Sequence, residues 1–181
     1  MFLPNTIKLF RYYKSLGDKS IDQLEEDQLF DTPNEVSNSL AIIMKHLHGN
    51  MLSRWTDFLT TDGEKEWRNR DGEFELEAES PAEIKKLWEE GWNCLFHAIE
   101  PLTEEDLERI IYIRNEGHTV TEAIMRQLGH YSYHVGQIVY LARQLKGNNW
   151  HSLSIPKGGS QNYNKDKFSQ DKQRSHFTDK V

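Results

Sequence analysis

Between residues 119 and 147 the chain carries one uninterrupted helical pattern, and no other stretch restricts the fold as much. Val120, Ala123, Ile124, Leu128, Tyr131, His134, Val135, Ile138, Leu141 and Leu145 recur at spacings of mostly three and four. Thr119 and Glu122 form the two halves of a capping box at its start. Lys146-Gly147 supplies a basic last turn and then a stop. A helix this long with an apolar side needs other helices to cover it.

The rest of the sequence offers those partners. Ile7, Leu9, Phe10, Tyr13, Leu16, Ile21 and Leu24 predict an amphipathic helix over residues 3–28, with Gly17 as a place to kink. A second helix is expected over residues 36–59, started by Asn34 or Ser37 and ended by Thr60-Thr61-Asp62-Gly63. Leu40, Ile43, Leu47, Met51 and Phe58 form its stripe; Ile42, Met44, Leu52 and Trp55 widen it. A helix apolar over so much of its girth belongs inside a bundle. Ser80-Pro81-Ala82-Glu83 starts a third helix that continues to Pro101. Residues 64–80, with Trp67, Arg68, Arg70 and Phe74, read as a long ordered loop. Residues 110–113 resemble one arm of a small hairpin. The expected class is all-α: an antiparallel four-helix bundle spanning residues 1–160, followed by a polar, flexible tail over residues 161–181.

Composition narrows the function. Of 181 residues, 36% are hydrophobic and 28% charged, and the net charge is −7. Nucleic-acid binders draw their affinity from a basic surface, so no nucleic-acid partner is expected. No apolar run reaches the roughly 20 residues of a membrane helix, and no secretory signal is evident. Cys94 is the single cysteine, which excludes an internal disulfide and fits a cytoplasmic location. Its neighbours Trp92, Leu95 and Phe96 mark it as a small buried apolar residue. Trp55, Trp67, Trp88 and Trp92 read as core and loop anchors.

Chemistry points to the histidines, of which there are eight. His130 and His134 stand four apart on the inward face of the last helix, so both rings reach one point. Core histidines bonded to other polar groups account for the spacing equally well. Tyr131 stands where a zinc protease helix has its Glu, which argues against a peptidase. A third ligand comes from His46 or His48, which lie about 200° apart around the second helix. His46 shares a polar stripe with Asn50 and Asp57, which favours it without deciding the matter. Arg54, Arg68 and Arg70 line an anion pocket or pair with Asp57, Asp71 and Glu73, and the pairing is the simpler reading.

Four blocks carry a resemblance. They are Lys45-His46-Leu47-His48-Gly49-Asn50-Met51-Leu52-Ser53-Arg54-Trp55, Asp62-Gly63-Glu64-Lys65-Glu66-Trp67-Arg68-Asn69-Arg70-Asp71, His130-Tyr131-Ser132-Tyr133-His134-Val135-Gly136-Gln137-Ile138, and Ser154-Ile155-Pro156-Lys157-Gly158. In this order the chain resembles an uncharacterised branch of the DinB/YfiT-like superfamily. The resemblance implies a four-helix bundle binding a divalent metal ion, zinc or nickel, through His46, His130 and His134. It selects His46 over His48, which falls where the family often has a small residue. The loop and the segment 154–158 are expected to roof the metal. Relatives in the superfamily resemble transferases that add a low-molecular-weight thiol to an electrophile. Arg54, Arg68 or Tyr133 would then hold an anionic substrate, and the candidate catalytic residues are Arg54, Tyr133 and Asp57, the last as the base for an alternative hydrolysis by metal-activated water. The other alternative is a non-enzymatic, metal-stabilised bundle acting through a partner. A small-molecule substrate and a homodimer complete the expectation.

Overall fold

The computed structural model describes residues 2–77 and 79–180. It is mostly helical, with helices α1 (Phe2–Ile21), α2 (Leu40–Trp55), α3 (Pro81–Ile99), α4 (Val120–Lys146) and α5 (Ser160–Phe168). Strands β1 (Ile110–Ile113) and β2 (Glu116–Thr119) form an antiparallel hairpin that leads into α4. The hairpin turn places Arg114 and Asn115 at φ 55° and 60°, the geometry of a two-residue primed turn. Among the described residues no helix is long and apolar enough to cross a membrane.

The caps fall where the sequence puts them for two helices. Ser80 Oγ accepts from Glu83 N–H while Glu83 accepts from Ser80 N–H, and Pro81 opens α3. Thr119 and Glu122 do the same for α4. Helix α2 is shorter than expected. Ser39, not Asn34 or Ser37, caps it, and it stops at Trp55. Gly17 does not interrupt α1. Instead the Trp88 indole lies where a side chain at residue 17 would be, so α1 and α3 approach closely there.

Side-chain contacts fix the helix directions. Phe10 meets Tyr131, and Gln23 beyond the end of α1 bonds His151 beyond the end of α4, so α1 and α4 run the same way. His48 approaches Gly91 and Thr56 meets Cys94, so α2 and α3 also run the same way. Asp18–Trp88 and Arg11–Glu100 contacts set α1 against α3 in the opposite direction. The purely antiparallel order expected for chain neighbours therefore fails between α2 and α3. The reason is residues 56–80. A helix of α3's 19 residues is about 28 Å long, and an extended chain returns over that distance in roughly nine residues. The connection is long enough to cross back and leave residues over to build with.

Trp92, Tyr131, Phe10, Ile84, Leu95 and Ile124 are fully buried where the four long helices meet. Trp67 is not an anchor: it is 59% exposed on the crossover. The polar tail carries some local structure. It contains α5, none of whose residues is buried, and a short turn at Phe177–Lys180. There Phe177 stands edge-on to Tyr12, and Asp179 pairs with Lys8, both on α1.

Candidate metal centre

Helices α2 and α4 bring together the three histidines named from the sequence. One ligand nitrogen from each of His46, His130 and His134 lies within 4.8 Å of the others. His130 Nε2 and His134 Nε2 are 3.1 Å apart. Two imidazole nitrogens bound tetrahedrally at about 2.0–2.1 Å stand roughly 3.3 Å apart, so this pair is spaced for a shared ion.

The outer nitrogens decide which tautomers face inward. His46 Nδ1–H donates to Glu73 Oε2 at 2.9 Å. His134 Nδ1–H donates to Gln137 Oε1 at 2.7 Å, and Gln137 in turn donates to the Tyr133 hydroxyl at 3.1 Å. Each Nε2 of these two rings therefore keeps a lone pair directed at the cluster. This is the tautomer control found around metal-binding histidines. The donor set fits a divalent ion of borderline softness.

Protonation is also set against the charged forms. Burial, then the neighbouring His134 and His46, then Arg54 and Arg68 lower the His130 pKa to about 3. His134 is lowered too, by burial and by His46, against the opposing bond to Gln137. Both rings are neutral at pH 7, as a ligand must be.

Glu73 is the residue that reading the sequence missed as a partner of the site. It lies on a short turn, Asp71–Phe74, in the crossover and is 6% exposed. Arg68 grips it through Nε at 2.7 Å and Nη2 at 2.9 Å. Burial disfavours the Glu73 charge, but the bonds from His46 and Arg68 more than offset this and keep it ionised. Gly49 makes room for it: a Cβ there would lie 2.2 Å from Glu73 Oε1. Phe74 stacks on His46 with ring centroids 4.8 Å apart. Only the crossover's length hinted at such a role.

The other candidates separate. Arg54 follows His46 and Asn50 along α2 and lines the cleft over the histidines, a space of about 420 Å³. It bonds the Gly63 carbonyl and lies 2.9 Å from Glu64. Tyr133 lines the same cleft and is 62% exposed. Asp57 does not belong to the site. Because α2 ends at Trp55, Asp57 takes φ 48° and turns outward to a different groove, shared with Cys94 and His97. His48 points away from the cluster and lies 3.6 Å from Glu90. Residues 154–158 do not line the cleft; they follow the far end of α4. Cys94 is partly buried, and burial pushes its thiol pKa up, the opposite of an activated nucleophile.

A mostly helical domain with three convergent imidazoles beneath an open cleft defines a class of candidate metal-binding helical proteins. Within it, the chain belongs to the family described as protein of unknown function (DUF1572), which matches residues 1–159. No curated protein and no solved structure matches the chain.

Proposed function

We propose that this protein is a metal-dependent enzyme of the DinB/YfiT-like kind. In this reading α1–α4 form a four-helix bundle that holds one zinc or nickel ion through His46, His130 and His134 and transfers a low-molecular-weight thiol to an electrophile. Cytoplasmic location and a homodimer are part of the same proposal. The observation that carries it is the meeting of three imidazoles, two with orienting partners, under an open cleft. A structural ion is normally enclosed by four protein ligands, whereas a catalytic one keeps a position free.

Thiol transfer is preferred to hydrolysis for a specific reason. Among the described residues no carboxylate lines the cleft, and Asp57, the base a hydrolysis would use, faces elsewhere. A thiol would need no such base, since an ion held by His46, His130 and His134 would supply the acidity that its deprotonation requires. The protein's own part is to keep His130 and His134 neutral, to orient the rings through Glu73 and Gln137, and to place cationic side chains beside the substrate.

The test is elemental analysis of purified protein, wild type beside His46→Ala, His130→Ala and His134→Ala. About one equivalent of metal in the wild type, lost in each variant, supports the reading. The loaded protein is then screened for thiol transfer and for hydrolysis. No metal after incubation with zinc or nickel would sink it. Unfolding of the His130→Ala variant would favour the non-enzymatic, metal-stabilised alternative.

A further inference from the structure

The cleft over the histidines has a charge opposite to that of the chain. Arg54, Arg68, Arg70, Arg114 and Arg126 line it. The chain as a whole carries −7. Two acids behind the wall answer part of this charge. Glu64 Oε2 lies 2.9 Å from Arg54, 3.1 Å from Arg68 and 3.3 Å from Arg114. Glu73 is taken up by Arg68 and His46. Two carboxylates against five guanidinium groups leave the cleft positive even before an ion is added.

Two of those groups are effectively unanswered. Arg126 stands one turn before His130 on the same face of α4, and among the described residues it makes no ion pair or hydrogen bond. Arg70 reaches only Asp71, at 3.9 Å, and that carboxylate is 98% exposed. Its guanidinium instead lies over the Phe74 ring. Gln127, next to Arg126, is 3% exposed, lines the cleft and leaves Oε1 without a partner. Like charges gathered round a concave space concentrate the field and draw in an ion of opposite sign. Guanidinium forks suit planar or tetrahedral oxyanions.

We propose that this cleft is an oxyanion subsite. Arg126 and Arg70 bind the carboxylate or phosphate of a small substrate, Arg54 and Arg114 reinforce the field, and Gln127 Oε1 accepts from a hydroxyl or N–H donor elsewhere on the same molecule. The reacting end then faces His46, His130 and His134. The substrate class is a small, multiply charged anion. This assignment rests on reading the histidines as the reaction centre, but the subsite is built from other side chains and binds without metal.

Calorimetric titration tests it. Succinate and inorganic phosphate are added separately to metal-free protein, with neutral succinamide as control, in wild type, Arg126→Ala, Arg70→Ala and His130→Ala. Saturable binding of one anion per chain, weakened about tenfold or more in the Arg126 and Arg70 variants, is expected, since each removes a charge-assisted contact. His130→Ala should retain it. Whichever anion binds identifies the group recognised. Binding of neither anion, or equal binding in wild type and both arginine variants, overturns the proposal. Failure of the metal reading shows separately, as absence of zinc uptake with anion binding intact. Arg126 is exposed on its helix, so its variant keeps the fold, and circular dichroism verifies this.

Discussion

At the scale of single residues, the histidine cluster depends on groups that lie outside it. Glu73 fixes one tautomer of His46 and neutralises Arg68, which is nearly inaccessible. Glu73→Gln keeps the shape but weakens both bonds, so metal affinity should fall about 10- to 100-fold, measured by competition with a chromophoric chelator. His130 sets a pH dependence. Its folded pKa is about 3 and its unfolded value near 6.5, so the unfolded chain takes up the proton first as pH falls. Stability is full above about 6.5 and declines as pH drops toward about 3. Thermal melts of the metal-free protein from about pH 7 to 5 should therefore fall more steeply in the wild type than in His130→Gln. Helical spacing singled out His130 and His134, the family resemblance chose His46 over His48, and neither pointed to Glu73, because that contact joins a helix to an irregular loop and follows no period. Arg126 was legible in principle, since it precedes His130 by four and shares its face. Asp57 misled because its place on the stripe assumed a helix that ends before reaching it.

At the scale of elements, the two capping boxes were legible because capping is local chemistry between residues three apart. The end of α2 was not, since no glycine marks it and the stop comes from Thr56 and Asp57 turning away. Glycines separate the helices' roles. Around Gly136 on α4 nothing lies within 4 Å of an added Cβ, whereas at Gly49 on α2 the Glu73 carboxylate occupies that space. Gly136→Ala should stabilise the protein by about 0.5–1 kcal/mol in chemical denaturation. Gly49→Ala should forfeit that gain and lose metal affinity as Glu73 is displaced. Equal effects at both positions would argue against the close approach of α2 and the crossover.

At the scale of the molecule, residues 56–80 turn a pairing of parallel helices into a site. Asp62 accepts the N–H groups of Arg114 and Asn115 at 2.8 and 2.9 Å, and Gly63 N–H donates to the Tyr112 carbonyl, so the hairpin holds the crossover in place. Removing the metal should raise amide hydrogen exchange in residues 64–77 while leaving the middle of α3 protected, because Glu73 ties the loop to a ligand and α3 supplies none. Uniform protection with and without metal would contradict that coupling. The helical class and the four long helices were legible from periodicity; α5 was not, since it has no apolar face, and neither were the helix directions, because periodicity says which face is apolar and nothing about where a chain goes next. The parting of the ligands between α2 and α4 has one more consequence. On the ribosome His46 and Glu73 emerge together, well before His130 and His134, so the nascent chain holds one imidazole and its carboxylate partner with no site to complete. On the function proposed above, an ion would find a finished site only after the last long helix has been made and has closed against the second, and metal occupancy would report on whether synthesis and folding have both run to the end.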